Sequence, residues 1–353
     1  MEKGMIGRNT SVLVTGANGF IGSKLVEKLI EYGFEDICCA IRPTSSVANL
    51  ETILKGAKRG SCKIVKGNLL DPDYCNRIVD GVNIIFHCAA GTRSVNWPDM
   101  YLNTVVTTRN LLGACIRTGL NRFVNISSFA VYSNFRLRRN GVLDENCEIE
   151  QHHQERYESY SYCKVHQENI VSLYADRYGL PIVTVRPGAV IGPGGPGISG
   201  RIGTQTLGRF IHVGRWNWIP FTYVDNCAEA ILMVGLTEDI VGETFNIVDD
   251  HLPTSRDFLR MYKKSVTRIK TIYMPYTLFY LISSFIEFYS KRSEGQIPPA
   301  LNRRKTSAYF KKTRFNNVKV KRMTGWKPRV GMKEGLLRYM DYLKSIMEAD
   351  KAC

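Results

Sequence analysis

Short apolar, β-branched runs recur through the first half of the chain at Ser11–Thr15, Ile37–Arg42, Cys62–Val65, Val82–Cys88 and Arg122–Ile126. Each is too short to be a helix by itself and reads as a strand. Longer amphipathic stretches separate them and predict helices around Ile21–Tyr32, Pro72–Val79 and Met100–Thr118. Such alternation implies right-handed β-α-β crossovers, and so an α/β chain with a doubly wound, mostly parallel sheet covered on both faces. After Val131 the texture changes. Residues 134–158 are polar and rich in Asn, Arg and Glu, as expected of an excursion over a site. A helix is predicted over Tyr160–Tyr178 and a strand over Ile182–Arg186. From Pro187 the run RPGAVIGPGGPGISG is so dense in Gly and Pro that regular structure is expected to stop.

Composition narrows this little, except in charge. The 353 residues are 44% hydrophobic and 23% charged, which excludes a disordered chain, a collagen-like fibre and a small disulfide scaffold. Of the net charge of +16, most lies in one place: Lys291 to Arg329 holds thirteen Lys or Arg and one acid, Glu294. Just before it, Thr271–Ile286 (TIYMPYTLFYLISSFI) carries no charge. It falls short of the ~20 apolar residues of a spanning helix and contains Pro275, so a buried or an interfacial helix is the expectation. Two accounts of the basic segment stay open: peripheral membrane contact through 271–329, or a solvated surface beside a helix that caps the substrate. Nucleic acid has charge in its favour and no motif, so it is not expected as a partner. The N-terminus shows no signal-like apolar stretch, and the ten cysteines form no CxxC pair. Reduced thiols, no metal site and a cytoplasmic chain are expected.

The first chemistry-bearing motif is Thr15-Gly16-Ala17-Asn18-Gly19-Phe20-Ile21-Gly22, set between the first strand and the first helix. Gly16 permits a tight turn, Gly19 lets backbone N–H groups approach a pyrophosphate, and Gly22 lets helix and strand pack closely. The phosphates would then meet the positive end of the helix dipole. A Rossmann-type dinucleotide domain over 1–186 follows. A substrate-binding part would occupy 187–353, with the helix 225–236 and the strand 244–248 returning to the first domain. The second strand ends in Arg42-Pro43-Thr44-Ser45-Ser46 with no acid to receive ribose hydroxyls, which favours NADP over NAD, although Arg42 could equally stack on the adenine or be solvated. After the third strand, Asn68 and Leu69 are placed to contact the adenine, while Asp71 reads either as a contact or as the N-cap of the next helix.

The fifth strand ends in Ser127-Ser128, and the helix after the polar excursion begins Tyr160-Ser161-Tyr162-Cys163-Lys164. Tyr160 and Lys164 share a helix face. With eighteen tyrosines a Tyr-to-Lys match at this spacing means little alone; its order after the glycine turn and Ser128 carries the weight. Tyr157 and Tyr162 have no Lys four residues on. With His87-Cys88-Ala89-Ala90, RPGAVIGPG and Tyr223-Val224-Asp225-Asn226, the chain resembles, over nearly its whole length, an extended short-chain dehydrogenase/reductase. That superfamily includes nucleotide-sugar epimerases and dehydratases, 3β-hydroxysteroid dehydrogenases and dihydroflavonol-type reductases. The resemblance implies Tyr160 as general acid/base, Lys164 on the nicotinamide ribose and Ser128 on the reacting oxygen. It adds cofactor contacts at Ala89, Ala90 and Pro187, a substrate contact at Asn103, and a homodimer through the helices at Met100–Thr118 and Tyr160–Tyr178.

Three departures bear on the substrate. Where sugar dehydratases carry an Asp-Glu pair after the catalytic Ser or Thr, this chain has Phe129-Ala130. Before Tyr223 stands Ile219-Pro220-Phe221-Thr222 rather than an Arg-Asp pair. The layout from Phe245 through Gly325-Trp326-Lys327-Pro328 resembles the 3β-hydroxysteroid dehydrogenase branch, and AIRPTSS the dihydroflavonol-reductase group. The expectation is therefore an NAD(P)-dependent oxidoreductase interconverting a secondary alcohol and a ketone on a largely apolar small molecule. The alternative is a nucleotide-sugar 4-epimerase, whose substrate pyrophosphate would use Arg201, Arg209 or Arg215; a non-enzymatic NADP-binding regulator ranks behind both.

Overall fold

The computed structural model describes residues 6–7, 9–55, 61–91, 96–206, 208–293, 296, 298–299 and 301–352, with side chains described to residue 349. Glu294 and Cys353 lie outside these residues. The first half runs β1 (Val12–Thr15), α1 (Phe20–Glu31), β2 (Ile37–Ile41), α2 (Ala48–Leu54), β3 (Cys62–Lys66), α3 (Pro72–Val79) and β4 (Ile84–His87). One continuous helical rod follows: α4 (Trp97–Tyr101), a π-helical turn at Leu102–Val106, and α5 (Thr107–Cys115). Then come β5 (Arg122–Ile126), β6 (Val142–Leu143), α6 (Ser159–Tyr178) and β7 (Ile182–Pro187). The strands β8 (Ala189–Ile191), β9 (Gly203–Thr206), β10 (Arg209–Val213) and β11 (Phe221–Tyr223) precede α7 (Val224–Leu236) and β12 (Thr244–Ile247). The chain ends with α8 (Ser255–Ser265), β13 (Thr271–Met274), α9 (Tyr276–Arg292), α10 (Arg303–Phe310), β14 (Arg314–Phe315), α11 (Val318–Thr324) and α12 (Met332–Ala352).

Seven strands form one parallel sheet in the order β12-β7-β5-β4-β1-β2-β3. The doubly wound architecture expected from the alternation is the one present. Both faces are buried because each strand is apolar on both: Val12 and Val14 pack with Leu25, Val26 and Leu29 of α1 and with α7. Leu13, between them, packs with Tyr74 and Ile78 of α3 and Leu111 and Leu112 of α5. Each such side chain contributes about 1.5–3 kcal/mol by leaving water. Chain order reverses between β1 and β4, so the ends of these two strands flank the crevice in which doubly wound sheets bind ligands.

Two expectations need correction. Regular structure does not stop at Pro187: β8 pairs in parallel with β11 immediately beyond it. Gly188 makes this possible, since a Cβ there would lie 2.1 Å from the Pro220 carbonyl oxygen. The uncharged stretch at 271–286 is not one element. Pro275 divides it into β13, which joins β10 and β9 in a three-stranded sheet, and α9, which packs on α10. Among the described residues no helix is long and apolar enough to cross a membrane.

Candidate active site

The glycine turn closes against the end of β4. Gly16 has φ +66°, a conformation that side chains disfavour, and a Cβ on it would stand 2.9 Å from the Ala89 backbone. A Cβ on Gly22 would come 2.2 Å from the Gly16 carbonyl oxygen, so helix and turn meet backbone to backbone. Gly19 ends the turn at the first residue before α1, exposed and without a side-chain cap, leaving the helix's first N–H groups for a ligand. Thr15 is buried under the turn, Ala17 packs into the core behind it, and Phe20 leans on the Gly194–Gly195 loop. Asn18 donates to the Ser46 carbonyl oxygen at 3.4 Å, tying the turn to the loop after β2. Arg42 stands exposed at the start of that loop. The two small residues Ala89 and Ala90 follow β4. These features make a cradle open to backbone contact, which fits a dinucleotide.

Asn68 is exposed and accepts from the Leu70 N–H, while Leu69 is buried under it and its carbonyl holds Asn110. Asp71 accepts from the Asp73 N–H at 2.9 Å and is the N-cap of α3. Pro187 is buried at the end of β7. Asn103 lies half-buried in the π-helical turn and donates to the Asp99 carbonyl at 2.8 Å. Of the two rival tyrosines, Tyr157 is exposed with φ +53°, and Tyr162 packs against a tilted His166 ring and edge-on against Trp97.

Ser128, at the end of β5, stands beside the Tyr160 hydroxyl. Burial pushes the Tyr160 phenol up from its ordinary value, the Ser128 hydrogen bond works against this, and the Glu158 charge adds to it. Lys164, one turn on, is buried and donates to the Ile126 carbonyl and to Gln167 Oε1, both at 2.8 Å. Burial lowers its pKa to about 8, opposed by Glu168.

A buried polar thread runs from this lysine to the glycine turn. Gln167 Nε2 donates to Thr108 Oγ1 at 2.9 Å, and the Thr108 hydroxyl gives its own proton to the Thr104 carbonyl. His87 Nε2, 2.8 Å from Thr108 Oγ1, must therefore carry the imidazole proton, and His87 Nδ1 accepts from Thr15 at 2.8 Å. Burial and then the Lys164 charge drive the His87 pKa down to about 3, so the ring is neutral. Thr15 in turn accepts from the Ala89 N–H at 3.3 Å. Helix α6, β4 and the glycine turn are thus one hydrogen-bonded unit.

A second buried network holds β5, α6, β7 and β12 together. Arg186 binds Glu168 through Nε at 2.9 Å and Nη2 at 2.5 Å, and donates to Tyr132 at 2.9 Å. Ser127 donates to Glu168, and Tyr132 to Asn246 at 2.7 Å. Sequence reasoning missed this set and Gln167. One signal was available: a lone Arg inside the apolar run Ile182–Pro187 requires a buried partner.

Beside Tyr160 the site is ionic. Arg156 pairs with Glu158 at 3.0 Å, and Tyr309 of α10 donates to Glu158. Arg156 and Arg201 both lie over the Tyr309 ring, at 5.7 and 5.5 Å. Arg201 is therefore brought to the catalytic edge. Arg209 and Arg215 are not: both are exposed, and Arg215 rests on the Tyr273 ring at 4.2 Å.

The parallel sheet, the glycine turn at its switch point and the Ser, Tyr and Lys side chains beside it define a dinucleotide-dependent enzyme of the dehydrogenase type. The chain belongs to the NAD dependent epimerase/dehydratase family, whose model matches residues 12–247. A 3beta-hydroxysteroid-dehydrogenase/decarboxylase (isoform 2) of Arabidopsis thaliana is 26% identical over 93% of this chain, which spans 61% of that relative's length. An uncharacterized UDP-glucose epimerase of Bacillus subtilis is 30% identical over 67% of this chain and 76% of its own. Among solved structures, a UDP-glucuronic acid 4-epimerase from Bacillus cereus in complex with NAD superposes with a TM-score of 0.70 at 20% identity, over 96% of this chain and 99% of that one. The enzyme is NAD(P)-dependent and of the extended short-chain dehydrogenase/reductase type.

Proposed function

We propose that this enzyme interconverts a secondary alcohol and a ketone on a largely apolar, sterol- or lipid-like molecule. The observation that carries the chemistry is the juxtaposition of Ser128 and Tyr160 one helical turn from the buried Lys164. NAD(P) supplies the carbon that takes or gives hydride. In the alcohol-forming direction Tyr160, kept neutral by burial, donates its proton to the carbonyl oxygen, which Ser128 also hydrogen-bonds. In the reverse direction Tyr160 accepts that proton, and the Lys164 ammonium favours its ionised form. The turn 15–22, Asn68, Leu69, Ala89 and Ala90 of residues 1–186 hold the cofactor together with Pro187 at the boundary, and the rest of 187–353 holds the substrate. Arg42, with Thr44 to Ser46 and no acid beside it, favours the 2′-phosphate of NADP.

Water elimination is disfavoured because Phe129 and Ala130 are buried and bring no carboxylate to the reacting carbon. The apolar substrate is supported by the similarity to a 3beta-hydroxysteroid-dehydrogenase/decarboxylase along 93% of the chain. A second reading, a nucleotide-sugar 4-epimerase, is favoured by Arg201 beside Tyr309 and Glu158, a cation within reach of an anionic substrate. Stoichiometry separates the two. A dehydrogenase accumulates NAD(P)H in step with sterol-alcohol oxidation, whereas an epimerase equilibrates two UDP-sugars with no net change in cofactor. Tyr160→Phe is expected to cut kcat by about 10²–10⁴-fold without loss of folding; an unchanged kcat overturns the assignment of Tyr160.

A further inference from the structure

Helix α9 wears its apolar side outward. Leu278, Leu281, Phe285, Phe288 and Tyr289 are 48%, 65%, 70%, 54% and 56% exposed. At 3.6 residues per turn these five fall within one narrow stripe. Phe279, Ser283, Glu287 and Ser290 make the opposite, buried face. That buried face is fully engaged with α10: Phe279 meets Phe310 with ring centroids 5.4 Å apart, Ser283 hydrogen-bonds Thr306 at 2.7 Å, and Glu287 binds Arg303 at 3.0 Å. The outward stripe is therefore not displaced core. It amounts to on the order of 500 Å² of apolar surface, at the upper end of what a soluble monomer shows.

We infer that this face docks on an anionic lipid surface. Charge selects that occupant. Arg292 lies in the same stripe with its guanidinium 4.5 Å over the Phe288 ring, and Lys291 beside it is exposed. The one acid of the helix, Glu287, is turned inward and neutralised. Lys291 and Arg292 end the helix, and its one acid is shared between Lys291 and Arg303, so this end is net positive and two copies meeting by this face would bring like charge to like. Anionic headgroups provide the opposite sign, and Leu, Phe and Tyr side chains are the residue types that enter the acyl boundary. At seventeen residues and with its inner face bound to α10, the helix lies in the interface plane rather than across it. The docked face is one helix from the catalytic edge, since Tyr309 of α10 hydrogen-bonds Glu158.

The test reads binding on vesicles without substrate, so it is independent of the chemistry proposed above. The full chain is expected to co-sediment with phosphatidylcholine vesicles containing phosphatidylserine, less with phosphatidylcholine alone, and progressively less as salt rises. The double variant Leu281→Ser/Phe285→Ser should bind tenfold or more weakly with unchanged melting temperature. Arg292→Ala should bind roughly fivefold more weakly. Failure of the unmodified chain to bind the anionic vesicles overturns the inference, as does equal binding by the double variant. Elution as an oligomer that Leu281→Ser/Phe285→Ser converts to a smaller species, without vesicle binding, would assign the face to a second copy instead.

Discussion

At the scale of single residues, the site is set by where side chains are missing as much as by where they stand. Gly22 is the clearest case: an added Cβ would sit 2.2 Å from the Gly16 carbonyl oxygen, backbone that cannot yield without opening the turn. Gly22→Ala is expected to cost about 1–3 kcal/mol and to weaken NAD(P) binding, as read by thermal unfolding with and without cofactor. Lys164 sets a pH limit. Under the proposed chemistry, ketone reduction needs Tyr160 protonated, and burial keeps it so to beyond the ordinary phenol range. Lys164 must be charged, and its pKa is lowered to about 8. The kcat/KM profile should therefore fall on the alkaline side near pH 8, and Lys164→Arg should move that limb upward if it retains activity. That Ser128, Tyr160 and Lys164 gather at one end of the sheet was legible in the sequence because helix spacing and strand ends are local geometry. Gln167 was not, because its role depends on Thr108 and His87, which arrive from other elements.

At the scale of elements, the position of the catalytic helix rests on a buried ion pair. Arg186 and Glu168 are 5% and 8% exposed, and Glu168 also takes the Ser127 proton. Arg186→Met leaves Glu168 charged without its partner, an expected loss of about 3–5 kcal/mol. Arg186→Met/Glu168→Gln should recover part of that stability, which chemical denaturation of the pair of variants would measure. A second contact reports on pH. Burial would raise the Glu287 pKa, but the hydrogen bonds from Arg303 bring it down to about 2. Its contribution is present above the ordinary value near 4.5 and is lost as pH falls from there toward 2. Hydrogen exchange in α9 and α10 should accordingly accelerate across that window. Element type was legible where the pattern was strong: Arg122–Ile126 and Pro72–Val79 are a strand and a helix with the predicted ends. It failed after Pro187, where glycine density reads as disorder of pattern but in the fold removes the Cβ that would keep β8 from Pro220.

At the scale of the whole molecule, one asparagine ties the segment before α12 to α7 and to the loop after β12. Asn226 donates to Asp249 and to the Val330 carbonyl, both at 2.8 Å, and accepts from the Arg329 and Val330 N–H groups at 3.0 Å. Tyr223-Val224-Asp225-Asn226, a family signature in sequence, is thus an anchor for the segment leading into α12. Asn226→Ala should lower stability by about 4 kcal/mol, counting roughly 1 kcal/mol for each of the four lost hydrogen bonds. It should also raise hydrogen exchange in 326–340 before it affects the glycine turn. By itself the sequence determined the parallel sheet, the dinucleotide turn and the Ser, Tyr and Lys set, because hydrophobic period, glycine spacing and helical pitch act between near neighbours. Only the tertiary structure decided which of three arginines reaches the site, how Lys164 is tied to the glycine turn, and which face of α9 is left bare. Those depend on residues as far apart as Arg156 and Tyr309 meeting in space, and nothing in local order encodes such meetings.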